Sequence, residues 1–301
     1  MSGQAPSALV MVRPHRFAVN PLTADDNAFQ TDGIGEGVAR AARDEVTAAV
    51  AALRAAGVTV LLFEDEGIAT PDSVFPNNWF STHPGGEIVL YPMRAPNRRG
   101  ERRADVVEAL REAYAVSEVI DLSPREDDGR FLEGTGSLVI DHAEGVAYAA
   151  RSGRTDEGLV RDICGRLGLE PVLFDAAGPD GAPIYHTNVM MSVGDGFALL
   201  DEGCIADPSE RRALRGRLAA RGAVVTITPE QTARFAGNAL AVTGTGGQRL
   251  ALSRTAWGAL RDDQRAALAE HAAPLVLSVP TIERSGGSVR CMLAGVHLPR
   301  R

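Results

Sequence analysis

The organisation of this chain can be worked out from a stretch near its C-terminus, Gly286-Gly287-Ser288-Val289-Arg290-Cys291-Met292-Leu293. Two glycines permit a backbone with positive φ or a close approach to a ligand, and a short apolar strand is expected to follow. Because the cation of Arg290 favours the thiolate form of a neighbouring thiol, Cys291 is a candidate nucleophile. The alternative is that Cys291 is a small buried residue at the start of a strand.

Upstream of this stretch, a predicted helix followed by a predicted buried strand occurs five times. The helices are predicted over residues 41–56, 101–115, 156–167, 208–220 and 255–271, and the strands over 58–63, 119–122, 171–174, 223–227 and 275–279. A further strand is predicted over residues 8–12. Regular recurrence of one such unit predicts a repeat architecture, either radial or stacked.

A second strand is predicted after each unit, and each of these strands opens with a polar residue. The five polar residues are Asn78, Glu133, His186, Asn238 and Cys291, which are roughly 52 to 55 positions apart. Elements at the same phase of a closed repeat converge on its axis, so these side chains are predicted to meet in one central site. The alternative is that each residue caps a strand near the surface, an interpretation that suits Asn238 best.

Cysteine, histidine and glutamate at one site are suited to nucleophilic catalysis. Cys291 would attack an electrophilic carbon, while His186 would protonate the leaving nitrogen and then activate water, because imidazole titrates near neutral pH. Glu133 would either orient substrate nitrogens or hold His186. The remaining histidines, which include His83, His142 and His297, do not share the phase of these residues.

Composition narrows the class of protein. A formal net charge of -8 argues against a nucleic-acid partner, and no stretch approaches the ~18 apolar residues of a membrane span. Cys164, Cys204 and Cys291 are scattered, without disulfide or metal-ligand spacing, so neither a metal nor another cofactor is expected. We expect a cytoplasmic protein with a flexible tail over residues 1–7 and one catalytic domain over residues 8–301.

The Glu-Gly motif at Glu133, the His-Thr-Asn motif at His186 and the C-terminal Gly-Gly-Ser-Val-Arg-Cys-Met motif resemble those of the guanidino-group-modifying enzymes, or penteins. This family includes arginine deiminases, dimethylarginine dimethylaminohydrolases and amidinotransferases. The resemblance implies a single-domain α/β propeller of five blades, acting on a small amino-acid substrate without a cofactor. It implies Cys291 as nucleophile, His186 as acid and base, and Glu133 in the same constellation.

The resemblance also implies substrate-binding residues. Asp72 lies in a segment that resembles one whose aspartate helps bind the amino-acid end of the substrate, and Arg94 and Arg154 lie in segments that resemble suppliers of arginines near the substrate. Two positions depart from the pattern, because Asn78 and Asn188 stand where guanidine-processing members commonly carry aspartate.

A guanidinium favours carboxylates, whereas a neutral ureido group offers donors and an acceptor that match an amide. The two asparagines therefore predict citrulline as the substrate, cleaved to ornithine and carbamate, as in citrulline-utilisation hydrolases. The alternatives are hydrolysis of arginine or dimethylarginine, amidino transfer, and a non-catalytic amino-acid sensor, which would not need the nucleophile. The sequence leaves open whether the chain forms a homo-oligomer.

Overall fold

Fifteen strands form five three-stranded sheets among residues 3–23, 27, 29–31 and 36–301, the part of the chain that the computed structural model describes, with residue 36 described by its backbone alone. In every sheet, the middle strand pairs antiparallel with one neighbour and parallel with the other. The parallel neighbour follows the middle strand in the chain. The predicted five-unit α/β repeat is therefore confirmed.

The strands are β1 (Ala8–Pro14), β2 (Thr59–Asp65), β3 (Phe80–Thr82), β4 (Glu87–Leu90), β5 (Glu118–Asp121), β6 (Val139–Asp141), β7 (Val146–Ala150), β8 (Glu170–Phe174), β9 (Met191–Gly194), β10 (Phe197–Leu200), β11 (Ala223–Thr226), β12 (Leu240–Gly244), β13 (Gly247–Ser253), β14 (Ala273–Leu277) and β15 (Ala294–Val296). The helices are α1 (Glu36–Ala55), α2 (Ala104–Ala113), α3 (Gly134–Ser137), α4 (Glu157–Leu167), α5 (Pro208–Ala219), α6 (Pro229–Thr232), α7 (Arg254–Ala259), α8 (Asp262–Ala269), α9 (Pro280–Glu283) and α10 (Val289–Met292). Short 3-10 helices cover Pro21–Thr23, Pro76–Asn78, Pro96–Glu101, Ser123–Asp128, Thr187–Val189 and Glu202–Cys204.

The two ends of the fold close on each other. Strand β1 pairs antiparallel with β15, with Ala8 opposite Val296 and Val10 opposite Ala294. We call β3, β6, β9, β12 and β15 the inner strands, because β3 contacts β15 and β9 contacts both β6 and β12. The repeat is therefore radial, with the inner strands around its centre and the helices outside.

Local sequence explains where the outer helices begin and end. Helix α4 is capped at its N-terminus by Asp156, whose side chain accepts a hydrogen bond from the backbone of Leu159, and at its C-terminus by Gly168, which has a left-handed backbone with φ of 66°. Its apolar face, which includes Val160 and Ile163, belongs to one of five apolar clusters that pack helices onto sheets within the described residues.

The structure differs from the predicted elements in three places. The helix expected over residues 255–271 is two helices, α7 and α8, because Leu260 and Arg261 adopt extended backbone between them. The five polar residues lie on short turns that precede the inner strands and not on the strands themselves. The expected tail over residues 1–7 is anchored from Gln4, whose buried amide bonds to Ile140 and His142; residues 1 and 2 lie outside the described residues.

Three histidines follow three of the inner strands directly and meet in a cluster. His83 follows β3, His142 follows β6 and His297 follows β15; the ring centroids of His83 and His142 are 5.8 Å apart, and those of His142 and His297 are 3.8 Å apart. Burial and the charge of His142 lower the pKa of His83 to about 3, and burial and the charge of Arg290 lower the pKa of His142 to about 4. The cluster is therefore neutral at physiological pH.

This cluster predicts a pH-dependent loss of stability. Because the folded-state pKa of His142 is depressed, the unfolded chain binds the extra proton as pH falls below about 6.5, which costs about 2 kcal/mol of stability between about pH 7 and about pH 5. The free energy of unfolding should therefore fall less over this interval in His142→Gln than in the wild type, by about that amount, when measured by denaturant titration. His271→Gln, outside the cluster, is the control. Equal losses in His142→Gln and the wild type would contradict the prediction.

Candidate active site

A central cavity brings together residues from all parts of the chain. All five polar residues precede inner strands as expected of a radial repeat, and three of them, Asn78, His186 and Cys291, line this cavity. The cavity is lined by Thr23, Asn27, Asp72, Phe75, Asn78, Arg98, Arg154, Tyr185, His186, Ser285, Gly286, Gly287 and Cys291. The candidate nucleophile and the candidate acid and base therefore face the same space.

Glu133 is the most buried charge of this site. Its carboxylate accepts a hydrogen bond from Nε2 of His186 at 2.9 Å and one from Nη1 of Arg154 at 3.3 Å, and Nη1 of Arg98 lies 3.7 Å away. Its other oxygen accepts from the backbone N–H of Arg94 at 3.0 Å. Burial by itself would raise the pKa of Glu133, but the charges of Arg154, His186 and Arg98 and the hydrogen bond from His186 hold it well below the usual range.

His186 is held as a neutral base. Burial lowers the pKa of His186, and its hydrogen bond and charge attraction to Glu133 oppose that effect only in part. Because an ionised carboxylate can only accept, Nε2 carries the proton and Nδ1 is the free base. A Cβ at Gly136 would lie 2.8 Å from Nδ1 of His186 and 2.8 Å from Oδ1 of Asn78, so the lack of a side chain there allows both residues to occupy their positions.

The sulfur of Cys291 lies among amide groups. Nδ2 of Asn238 is 3.3 Å from Sγ, and Nδ2 of Asn188 is 3.6 Å from it. The Asn238 amide has a fixed orientation, because its Oδ1 accepts from the backbone N–H of Arg290 at 3.1 Å and its Nδ2 donates to the backbone carbonyl of Asn188 at 3.1 Å. A backbone N–H can only donate and a carbonyl can only accept, so it is the NH₂ group of Asn238 that faces the sulfur, with one N–H used by the Asn188 carbonyl and the other available to Sγ.

The turn that presents Asn238 is strained. Phe235 has a φ of 63° and is the only non-glycine residue with positive φ in the described chain. Such a conformation costs on the order of 1 kcal/mol or more and persists where surrounding contacts enforce it. The sequence left a surface cap open as the alternative for Asn238, whereas the structure buries this residue completely, with its amide near the sulfur of Cys291.

Asp72 and Arg98 form a second charged pair beside Glu133. Oδ1 of Asp72 accepts from the Ser285 hydroxyl at 2.9 Å, and Oδ2 accepts from Asn20 at 2.8 Å and lies 3.7 Å from Nε of Arg98. Arg98 makes two hydrogen bonds of 2.9 Å to Glu101, so its guanidinium is fixed by buried carboxylates. This arrangement keeps Arg98 between Asp72 and Glu133.

The structure brings together most of the residues that the sequence singled out. Those lining the cavity or bonded to a lining residue are Cys291, His186, Glu133, Asp72, Asn78, Asn188 and Arg154. Arg94 is exposed and does not line the cavity; its backbone, not its guanidinium, bonds to Glu133. The sequence did not identify Arg98. Its signal was the Glu101 that follows three residues later, which indicates a local ion pair without indicating that the pair is buried.

The described residues hold no group of three or more His, Cys, Asp or Glu side chains placed to bind a metal ion. Within the same ranges, no helix is long and apolar enough to cross a membrane.

The family model of N,N dimethylarginine dimethylhydrolase, eukaryotic, matches residues 13–298 of this chain. A comparison with curated proteins finds no match. The matched range contains both the cavity and the cluster of three histidines.

Several solved structures are similar. One is the N-terminal domain of ArgZ, an arginine dihydrolase of the ornithine-ammonia cycle in cyanobacteria, in a cysteine-to-serine mutant bound to substrate. It has 17% sequence identity to this chain and a TM-score of 0.77, and the match covers 97% of this chain and 98% of that chain. Apo ArgZ has 18% identity and a TM-score of 0.78, with 98% of this chain and 41% of that chain covered. A DDAH mutant from Pseudomonas aeruginosa, in complex with citrulline, has 14% identity and a TM-score of 0.69, and the match covers 97% of this chain and 99% of that chain. This likeness shows that the fold is the five-bladed α/β propeller of the penteins.

The amide of Asn238 predicts a measurable effect on the sulfur. In Asn238→Asp, Oδ1 can still accept from Arg290, but the N–H donor near Sγ is replaced by a carboxylate oxygen. A hydrogen bond to a charged group contributes about 1.5–3 kcal/mol, so alkylation of Cys291 by iodoacetamide at fixed neutral pH should slow by at least about tenfold. Peptide mass spectrometry after timed labelling gives the rate. Asn238→Ala should have a smaller effect, and wild-type rates in both variants would contradict the assigned role.

Proposed function

The chain belongs to the N,N dimethylarginine dimethylhydrolase family, and from this premise we propose that it is a cysteine hydrolase that cleaves a C–N bond in the guanidino group of arginine or a methylated arginine. The observation that carries the proposal is the central cavity, where Cys291 faces the same space as His186, which is hydrogen-bonded to the buried Glu133. A binding module would have no need to bury a nucleophile, a base and an ionised carboxylate together, which weighs against an amino-acid sensor.

The first half of the proposed reaction forms a covalent intermediate. The thiol of Cys291 gives its proton to the neutral imidazole of His186, and the sulfur attacks the central guanidino carbon. His186 then delivers this proton to the leaving nitrogen, so that ammonia or an alkylamine departs and an S-linked amidino intermediate remains on Cys291. The anionic Glu133 stabilises the imidazolium that exists between the two proton transfers.

The second half regenerates the enzyme. His186, neutral again, takes a proton from water, and the resulting hydroxide attacks the carbon of the S-linked intermediate. The C–S bond breaks, the proton returns to the sulfur of Cys291, and citrulline is released. No oxidant, reductant or metal is needed for these steps, since each is a proton transfer or an addition followed by an elimination.

The charges beside the reacting groups suit an amino-acid substrate. We assign Asp72 to the α-ammonium group, because its carboxylate lines the cavity and is fixed by Ser285 and Asn20. Arg154 also lines the cavity, with its guanidinium 4.9 Å from the ring centroid of Tyr185, and it is assigned to the α-carboxylate. Arg98 is assigned a positioning role, because its guanidinium is shared among buried carboxylates.

Hydrolysis of the ureido group of citrulline is the second candidate, and the amides support it. Asn188 and Asn238 surround the sulfur, and Asn78 lines the same cavity. The carboxylates nearby are already paired with Arg98 and Arg154, which leaves little uncompensated negative charge for a guanidinium. In this reaction ornithine leaves as its δ-nitrogen is protonated, and the carbamoyl thioester on Cys291 is hydrolysed to carbamate.

The family favours the guanidino substrate over the ureido one. The matching family model is named for dimethylarginine, and the ArgZ structures are named for arginine. Citrulline, the substrate that the sequence alone predicts, therefore becomes the second candidate. Citrulline is also the product of the proposed hydrolysis of arginine or a methylated arginine, so the same cavity would bind both substrate and citrulline. No observation favours amidino transfer to a second amine.

The proposal is tested by incubation of the protein with arginine, methylated arginines and citrulline, with ornithine, citrulline, ammonia and alkylamines measured as products. Cys291→Ser should lower kcat/KM by at least about a thousandfold for whichever substrate reacts, because a serine hydroxyl is far less ionised than a thiol. Cys164→Ser is the control, since that thiol lies in an apolar cluster away from the cavity. Turnover by Cys291→Ser at wild-type rates would refute the assigned nucleophile.

The asparagines predict how substrate preference can be moved. In Asn188→Asp, a carboxylate replaces the amide near the sulfur. A guanidinium then gains a charge-assisted partner, whereas the carbonyl oxygen of a neutral ureido group faces a second acceptor that bears a negative charge. The ratio of kcat/KM for arginine to that for citrulline should rise by about tenfold or more, and further in Asn78→Asp, Asn188→Asp. Asn188→Ala, which removes the amide without adding charge, is the matched control. A ratio that is the same in all four proteins would exclude these residues as readers of the substrate.

A further inference from the structure

A second cavity lies along the inner strands β3, β6, β12 and β15. Its lining residues are Gln4, Phe80, Ser81, Thr82, Thr135, Ile140, His142, Leu240, Arg290, Ala294, Gly295 and His297, none of which lines the catalytic cavity. The catalytic residues precede the inner strands, whereas His142 and His297 follow them. The neighbours Arg290 and Cys291 thus face different cavities from adjacent positions of α10.

The guanidinium of Arg290 is the only charged group among the lining residues of this second cavity. Within the described residues it donates one hydrogen bond, from Nη1 to the carbonyl of Leu293 at 2.9 Å, and it has no carboxylate within ion-pair distance. Burial lowers the pKa of Arg290 to about 10, and a guanidinium remains charged at neutral pH even so. An uncompensated buried charge is costly, and a bound counter-ion would remove that cost.

The other polar groups around the cavity are suited to an anion and not to a cation. His142 and His297 are close enough to Arg290 for its charge to depress the pKa of both imidazoles. Gln4 lines the cavity as a neutral amide, and Ser81, Thr82 and Thr135 line it with hydroxyl groups. A neutral imidazole, an amide and a hydroxyl can each donate a hydrogen bond. A metal cation would be repelled by Arg290, and the described residues hold no metal-ligand group.

The size of the cavity limits the ligand. Its volume is about 30 Å³, and a single water needs at least about 10–15 Å³ on the same measure. One or two water-sized particles therefore fit, whereas an amino acid or a phosphate ester does not. A water molecule would fill the space but leave the guanidinium uncompensated.

We propose that this second cavity is a binding site for a small inorganic monovalent anion of the size of chloride, held by Arg290 between the ends of β3, β6 and β15. The bound anion compensates the charge of Arg290 and thereby reduces the electrostatic support that this cation gives to the neighbouring Cys291 thiolate. Anion binding in the second cavity therefore slows the reaction of the sulfur in the catalytic cavity. The site requires no assumption about the substrate.

The first test replaces sodium gluconate stepwise by sodium chloride at constant ionic strength, with no substrate present. Chloride should raise Tm in a saturable way, because a ligand of the folded state stabilises it, and it should slow iodoacetamide labelling of Cys291 by about threefold at saturation. The two effects should have the same midpoint. Absence of both effects, or a linear dependence on chloride without saturation, would overturn the proposal.

Two variants test the location of the site. Arg290→Gln removes the cation, and Gln4→Glu places a carboxylate in the same cavity while its Oε1 can still accept from the backbone of His142. Both should lose the chloride dependence of Tm and of labelling, whatever their basal rates. Gln248→Glu, the same exchange on β13 outside the cavity, should retain it. If both Gln4→Glu and Arg290→Gln retain the chloride dependence of Tm and of labelling, chloride acts elsewhere and the proposed site is refuted.

A crystal soaked in sodium bromide gives a direct measurement. The anomalous difference map should contain one peak beside the Arg290 guanidinium in the wild type and none there in Gln4→Glu. Because neither labelling nor bromide binding uses a substrate, failure of the anion site would leave the proposed hydrolase function untouched. Failure of every substrate assay would likewise leave the anion site testable.

Discussion

The antiparallel pairing of β1 with β15 is the constraint on which the rest of this structure depends. It joins the two ends of the described fold in one sheet, and it fixes the position of α10 and thus of Cys291 relative to the other four repeats. Without this closure, five similar units would form an open stack, and residues more than fifty positions apart would have no reason to share a cavity. The pairing of Val10 with Ala294 therefore acts beyond its own sheet, because it places Cys291, the proposed nucleophile, opposite residues of the second and third repeats.

Closure buries several charged side chains close together, so their mutual compensation becomes the second requirement. Glu133 and Asp72 are buried, and Arg98 and Arg154 compensate them within hydrogen-bond or ion-pair distance. Removal of one partner would leave an unpaired buried charge, which is more costly than the pair is stabilising. The two hydrogen bonds from Arg98 to Glu101 hold the arginine between the two carboxylates, where its charge compensates both. The positions of these side chains are therefore determined first by charge compensation.

Much of this arrangement could be predicted because it follows from periodicity. The regular spacing of Glu133, His186 and Cys291 places them at one phase of a repeat, and a repeat that closes brings them together. Asn238 shares that phase, but its role depends on which way an amide is turned, and only the backbone groups of Arg290 and Asn188 determine that. Arg98 could not be identified, because its importance comes from burial against carboxylates that are distant in sequence. His83, His142 and His297 each follow an inner strand, but nothing in the sequence around them indicates that these three positions meet.

The amides around Cys291 reflect a conflict between binding a cation and forming a thiolate. Carboxylates beside the sulfur would attract a guanidinium, but they would also oppose the negative charge that the sulfur must acquire. Amides avoid that repulsion and supply donors to the thiolate, although they give up part of the attraction for a cationic substrate. A fixed cation next to the sulfur, Arg290, acts in the same direction as the amides. If Cys291 is the nucleophile as proposed, a neutral ureido group loses less by this arrangement than a guanidinium does.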